Sequence, residues 1–146
     1  MSSQPKYRAW YKPLGVMIEP DKLEMINFET KVLGVYLEMD GKGYHVLRMS
    51  DFELMEFTGL KDEEEIDIHD GDLCTDDEVS VMQVVWVEDH HQWGVKVISG
   101  SGTLSVGLIF PLWHWDICKQ NGLRQLTVIG NIYENPELIG GEAAKV

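Results

Sequence analysis

The chain has 146 residues, 44% of them hydrophobic, with 25 acidic against 12 basic side chains and a formal net charge of −13. This length predicts one domain or two small lobes, and the apolar content excludes a wholly disordered chain. No apolar run approaches the roughly 18 residues of a membrane span, and the first residues lack a signal-peptide core. Two cysteines, Cys74 and Cys118, cannot make a disulfide framework, so we expect a cytoplasmic protein with no membrane association.

Strand signals dominate the first part of the chain. Residues 32–38 are rich in β-branched and aromatic side chains, and the following Asp40-Gly41 predicts a hairpin turn. Residues 50–57 match either a short helix capped by Ser50 or another strand, and the sequence leaves both open. We therefore expect an N-terminal β lobe over residues 1–60.

Strand signals continue in the second part. Three runs rich in β-branched residues predict a β-meander: residues 79–87, 92–98 and 103–110. Pro111 is expected to end the third strand, and residues 112–120 predict one helix. The expected fold is mainly β: two small antiparallel β lobes with one or two short helices. The second lobe spans residues 79–139, as an SH3-like barrel or an open sandwich, before a frayed tail at 140–146.

Most of the acidity lies in one segment. Residues 62–78 hold ten acids and no Lys or Arg, and removing those acids leaves 15 acids against 12 bases, a net charge of −3. We interpret residues 61–78 as an acidic connector. Its charge repels phosphate, which argues against direct nucleic-acid binding and is compatible with a basic protein partner. An EF-hand is rejected because the loop position that requires Gly holds Asp72, so we expect no metal and no cofactor.

Four sequence blocks, in order, resemble the YopX protein family. They are Lys6-Tyr7-Arg8-Ala9-Trp10, residues 54–62 (LMEFTGLKD), residues 68–73 (IHDGDL) and residues 128–138 (VIGNIYENPEL). The resemblance implies a largely β protein encoded by a bacteriophage or prophage, with no established activity and no catalytic residues to carry over. The chain departs from the family pattern at residues 63–67 (EEEID), which puts a family role for that loop in doubt.

The motif residues also have a structural interpretation. Gly at turns accepts a positive φ, Thr58-Gly59 suits a chain reversal, and Asn135-Pro136 suits turn initiation. We therefore expect these residues to specify the fold: Arg8, Trp10, Thr58, Gly59, Asp62, Gly71, Asp72, Gly130, Asn131, Tyr133, Glu134, Asn135 and Pro136.

Catalytic patterns are weak. The nucleophile-elbow motif fails around Ser105 because Thr103 replaces the first Gly, and neither Cys74 nor Cys118 is matched to a particular His. We expect that the protein is not an enzyme, and we name no catalytic residue. Trp113 and Trp115 suggest a binding surface, with core packing as the alternative. The candidate interaction surface comprises Asp62, Glu63, Glu64, Glu65, Asp67, Asp70, Trp113 and Trp115.

Three functional hypotheses follow. The leading one is a phage or prophage accessory protein that binds an unknown protein, from the host or a second copy of itself, through β surfaces. The second is an acidic DNA mimic that occupies a host nucleic-acid-binding protein, which requires carboxylates spaced like phosphates over an ordered face. The third is an unrecognised hydrolase built on Ser105, Cys74 or Cys118.

Overall fold

A computed structural model describes residues 7–76, 80–99, 105–122 and 125–139. The chain divides into two compact units, Met1–Phe57 and Thr58–Val146. This division lies close to the predicted boundary at residue 60. All strand pairs are antiparallel, and one α-helix is present within the described residues, so the prediction of a mainly β protein in two antiparallel lobes is confirmed.

The N-terminal unit is built from two sets of strands. Its strands are β1 (Tyr7–Tyr11), β2 (Val16–Ile18), β3 (Leu23–Asn27), β4 (Val32–Met39), β5 (Lys42–Arg48) and the first part of β6 (Phe52–Lys61). Strand β1 pairs with β2 and β6, and β3, β4 and β5 form a three-stranded sheet. Alternating residues of β1 and β4 enter one core, where Ala9, Leu33 and Val35 are fully buried.

Local signals in this unit are partly confirmed. The predicted hairpin joins β4 to β5, and Asp40 and Gly41 both have positive φ, 56° and 76°, as a two-residue type I′ turn requires. The helical alternative for residues 50–57 is wrong. After one 3₁₀ turn at Met49–Asp51, the chain continues as β6, because pairing with β1 outweighs the local capping signal.

The C-terminal unit contains the larger sheet. Its elements are the second part of β6, β7 (Asp67–His69), β8 (Asp72–Thr75), β9 (Val81–Val87), β10 (Gln92–Ser99), β11 (Ile109–Pro111), α1 (Trp113–Gln120) and β12 (Thr127–Asn131). Five strands follow the order β11-β10-β9-β8-β12, and β7 lies beside β6. Cys74, Val84, Val95 and Leu112 belong to its core. The closure of this unit into an SH3-like barrel stays a prediction.

Two predicted elements of this unit have different outcomes. The helix predicted at residues 112–120 is confirmed as α1. The long third strand is wrong where it can be described: residues 105–108 lie outside any strand, and only Ile109–Pro111 pairs with β10. Gly107 has a φ of 98° and donates its N–H to the Val97 carbonyl, which breaks the pleat there. Pro111 is the last residue of β11, so the prediction that it ends this strand is confirmed.

The segment interpreted as a connector carries regular structure. Within residues 61–78, strands β7 and β8 are joined by Asp70-Gly71, and Gly71 has a φ of 85°. The sequence block at residues 68–73 therefore contains a turn, and this turn is part of the second unit. Lys6, Asp77, Glu78 and the predicted tail at 140–146 lie outside the described residues, as do Thr103 and the side chain of Cys118. Among the described residues, no helix is long and apolar enough to span a membrane.

Candidate functional site

The described part of the C-terminal unit buries six polar side chains. Burying a polar group costs free energy unless its hydrogen bonds are replaced, so each such residue has a structural or functional reason. The buried polar residues of this unit are Asp62, His69, Asp72, Thr75, Ser80 and Asn131. Four of them, Asp62, His69, Asp72 and Asn131, belong to the sequence blocks singled out above.

Asp62 holds together two distant parts of the chain. Its carboxylate is 2% exposed, and Oδ1 accepts hydrogen bonds from the N–H groups of Glu64 and Ile66 at 2.8 and 2.9 Å. The second oxygen, Oδ2, accepts from the N–H of Val128 in β12 at 2.9 Å. One carboxylate therefore shapes the turn at residues 62–66 and fixes β12 beside it.

Asp72 and Thr58 make comparable contacts around β7. The Asp72 carboxylate is fully buried, and its Oδ2 accepts the N–H of His69 at 2.8 Å across the Asp70-Gly71 turn. The Thr58 hydroxyl donates to the Ile68 carbonyl at 2.8 Å. These bonds fix β7 between β6 and the turn that follows. The predicted reversal at Thr58-Gly59 is wrong, because both residues lie inside β6, where Gly59 has a φ of 91°.

Asn131 and Asn135 organise the end of β12. Asn131 Oδ1 accepts the N–H groups of Tyr133 and Glu134 at 3.0 and 2.8 Å, and its Nδ2 donates to the Glu134 carboxylate at 2.8 Å. Asn135 Oδ1 accepts the N–H of Asn131 at 3.1 Å. A Cβ at Gly130 would overlap the Asn135 side chain, so this packing requires glycine.

The contacts described for these motif residues join backbone segments to one another. Pro136 begins a 3₁₀ turn at Pro136–Ile139, where its missing N–H costs nothing. Arg8 and Trp10 lie in β1 of the N-terminal unit, with Arg8 7% exposed and Trp10 half-buried. We define Thr58, Asp62, Asp72, Gly130, Asn131 and Asn135 as the motif network.

The acidic residues do not form one exposed surface. Glu63, Glu64 and Glu65 are exposed, and Asp67 and Asp70 are half-buried, whereas Asp62 and Asp72 are buried. The Asp67 carboxylate lies 3.5 Å from the Lys61 ammonium, and Glu63 Oε1 accepts the Thr127 hydroxyl at 3.1 Å. The acids of residues 62–76 are thus divided between core, ion pair and solvent. They do not supply the extended face that the DNA-mimic hypothesis requires.

The thiol of Cys74 lies in an unreactive environment. It is fully buried on β8, and burial, followed by the charges of Asp72 and Asp62, raises its pKa well above the ordinary value of 9.0. A buried protonated thiol is not a nucleophile at neutral pH. Ser105 is exposed and lies outside the strand in which it was predicted. Among the described residues, no group of three or more His, Cys, Asp or Glu is arranged to hold a metal ion.

The two tryptophans of the candidate surface lie in different environments. Trp115 is 7% exposed in the core, and its Nε1 donates to Asp76 Oδ2 at 3.1 Å. Trp113 is 51% exposed, and its Nε1 donates to the Gln92 side-chain oxygen at 3.3 Å. Core packing thus describes Trp115, while Trp113 presents its ring at the surface in an orientation fixed by a hydrogen bond.

A groove lies beside Trp113, on the face of β10 that carries Gly94. It measures about 290 Å³ and is lined by Val87, Asp89, His90, Gln92, Ile109 and Pro111. A Cβ on Gly94 would come within 2.8 Å of Val87 Cγ2 and 3.3 Å of Ile109 Cγ2, so the missing side chain lets these two residues pack closely over β10 beside the groove. We call these lining residues with Trp113 the Gly94 groove.

Sequence reasoning named Trp113 but missed the rest of the groove. The available signal was Gly94 itself, since an isolated glycine inside a strand marks a close approach or a recess. The pairing that brings Ile109 and Pro111 to β10 depended on the third strand, whose predicted extent was wrong. The partners of Gly94 therefore could not be named.

Comparisons with known proteins agree with this architecture. A family model described as YopX protein matches residues 6–140. Among solved structures, the chain is similar to the crystal structure of protein EF1440 from Enterococcus faecalis, with 22% identity and a TM-score of 0.52. The similarity covers 94% of this chain and 99% of that one, and at this identity it concerns the fold alone. The curated proteins include no match to the chain.

Proposed function

Because the chain belongs to the YopX protein family, whose model matches residues 6–140, we propose that it acts without catalysis, by binding another protein. In this proposal it is a phage or prophage accessory protein of the bacterial cytoplasm. The observation that carries the proposal is the Gly94 groove, which combines the apolar Val87, Ile109 and Pro111 with three polar residues and lies next to the exposed Trp113, hydrogen-bonded to Gln92.

The groove has the properties of a binding hot spot. Ile109 and Trp113 are 50% and 51% exposed although both are large and apolar. Tryptophan is enriched among residues that dominate binding energy, and a side chain already held by a hydrogen bond loses less rotamer freedom when a partner arrives. The Gln92 contact therefore favours Trp113 as an anchor.

Buried Cys74 and the motif network support the non-enzymatic part of the proposal. The thiol is protonated, and the described hydrogen bonds of Asp62 and Asn131 go to backbone groups or to a neighbouring side chain. The cavity beside Asp62 measures about 10 Å³, which is about the space of one water molecule. These groups therefore stabilise the fold.

The experiment is affinity capture from a lysate of the bacterial host, with captured proteins identified by mass spectrometry. We expect Trp113→Ala together with Ile109→Ser to reduce capture of a specific partner at least about tenfold, since hot-spot truncations cost more than about 1–2 kcal/mol. Phe28→Ser in the N-terminal unit is the matched control, because Phe28 is also exposed, at 57%.

Two results would overturn this assignment. One is capture that is equally strong with the double variant and the control, which would place the contact elsewhere. The other is loss of self-association, measured by sedimentation equilibrium, as the only effect of the double variant. That result would identify a second copy of the chain as the occupant.

A further inference from the structure

We propose that the partner segment which the Gly94 groove accepts carries an aliphatic or aromatic side chain next to an arginine or lysine. This inference rests on the proposed function and names the chemistry of the partner. It follows from the apolar lining of the groove, the charge at its rim and the charge of the whole chain.

The floor of the groove selects an apolar group. Val87, Ile109 and Pro111 supply hydrocarbon to the lining, and the missing side chain of Gly94 lets Val87 and Ile109 approach each other over β10. On the measure by which one water molecule needs roughly 10–15 Å³, the groove offers about 290 Å³, so there is room for a large side chain. Burying such a side chain contributes about 1.5–3 kcal/mol of transfer free energy.

The rim selects a cation. Asp89 lines the groove, whereas the preceding Glu88 lies outside the lining and its Oε1 accepts the Trp86 Nε1–H at 3.1 Å. The other polar groups of the lining are His90 and Gln92, and Lys96 lies two residues beyond Gly94, next to Ile109 in the register. An arginine at the rim gains a charge-assisted contact with the Asp89 carboxylate and can stack on the exposed ring of Trp113.

Net charge argues against a second copy as the occupant. Each copy carries −13, so self-association brings like charges together, whereas a basic segment is attracted from a distance. The groove is thus complementary in both shape and charge to an apolar-basic peptide of a different protein.

The test uses three synthetic fluorescein-labelled peptides of equal length: alternating leucine and arginine, alternating serine and arginine, and alternating leucine and glutamate. Binding is followed by fluorescence anisotropy between about 50 mM and about 300 mM salt. We expect the leucine–arginine peptide to bind at least about tenfold more tightly than either of the others.

Variants separate the two contributions. Asp89→Asn is expected to weaken the leucine–arginine peptide about threefold to fivefold at low salt and to flatten the salt dependence. The matched control, Glu64→Gln, makes the same change in net charge at an exposed site elsewhere. Ile109→Ser is expected to weaken binding at every salt concentration, because it removes apolar contact.

Equal weakening by the control would show attraction to the total charge and would overturn the proposal. Equal binding of the leucine–glutamate peptide would overturn it too. If the groove variants abolish lysate capture while none of the peptides binds, the proposed protein contact stands and the partner chemistry is wrong. If capture is unaffected, the proposed function itself fails.

Discussion

The two units are stabilised by different kinds of contact. Among the described residues of the N-terminal unit, Arg8 is the one buried polar side chain, and the core is apolar around Ala9, Leu33 and Val35. The C-terminal unit buries six polar side chains beside its apolar core. The first unit relies on strand pairing and apolar packing, and the second adds carboxylates and amides that bind backbone N–H groups.

This difference explains where the recognisable motifs lie. Apolar cores tolerate exchange of one hydrophobic residue for another of similar volume. A buried carboxylate that accepts three backbone N–H groups has no comparable substitute, because any shorter, longer or uncharged side chain leaves a donor without its acceptor. Three of the four sequence blocks accordingly fall wholly or partly in the C-terminal unit, at such contacts.

The largest expected effect is at Asp62. Asp62→Ala removes the acceptor of the Glu64, Ile66 and Val128 N–H groups, and we expect the free energy of unfolding to fall by about 3–5 kcal/mol. Urea unfolding measures this change. Hydrogen exchange should show faster exchange at Ile66 and Val128, while amides of β4 in the other unit keep their protection.

Glu64→Ala is the control for the loss of one negative charge, since Glu64 is exposed in the same turn. We expect it to change stability by less than about 0.5 kcal/mol. If Asp62→Ala were equally mild, or if β4 lost its protection to the same degree, the contrast between the units would be wrong.

A smaller effect is expected at Gly130. Gly130→Ala forces a Cβ against Asn135 and should cost about 1–3 kcal/mol in urea unfolding. Asn135→Gly removes the obstructing side chain together with its bond to Asn131, at a cost of about 1 kcal/mol. Because both changes act on one contact, the double variant should be more stable than the sum predicts. Strict additivity would contradict the packing described for this turn.

At neutral pH the smallest expected effect is at Cys74, whose contribution to stability changes only in alkali. Its raised pKa in the folded state means that the unfolded thiol ionises first as the pH rises past about 9.0. Above that pH the unfolded state binds fewer protons, so stability falls with pH by up to about 1.4 kcal/mol per unit. The stability that Cys74 contributes is complete below the pKa of the thiol in the unfolded state. It is lost as the pH rises toward the pKa of the thiol in the folded state.

Urea unfolding between about pH 8 and pH 11 measures this slope. Cys118→Ser serves as the background, and Cys74→Ala in that background should lack the additional decline. Iodoacetamide should label the folded Cys118→Ser protein slowly and label it rapidly in urea. Rapid labelling of the folded protein at neutral pH would contradict a buried, protonated thiol.

Local signals in the sequence predicted local structure well. Asp40-Gly41 marks its hairpin because both residues tolerate positive φ, and α1 begins where its short amphipathic run begins. Residues 50–57 could not be resolved, since the choice between helix and strand depends on pairing with β1, more than forty residues away in the chain.

The candidate surface was predicted less well, because its residues contact partners that are distant in the sequence. Asp62 was expected at an exposed surface with its acidic neighbours, but its partner Val128 lies 66 residues further along the chain. Trp113 and Trp115 are two residues apart, and only the packing of α1 on the sheet determines that one is buried and the other exposed. Predicting the groove would have required the register of three strands, β9, β10 and β11.

Asp62, Asn135 and Pro111 also bear on aggregation. The outermost strands of the five-stranded sheet are β11 and β12, and an outermost strand with free N–H groups is a template for pairing with another chain. Asp62 and Asn135 already occupy the N–H groups of Val128 and Asn131 on β12, and Pro111 has no N–H to offer on β11. The same residues that organise the fold thereby discourage strand-by-strand polymerisation at both sides of the sheet.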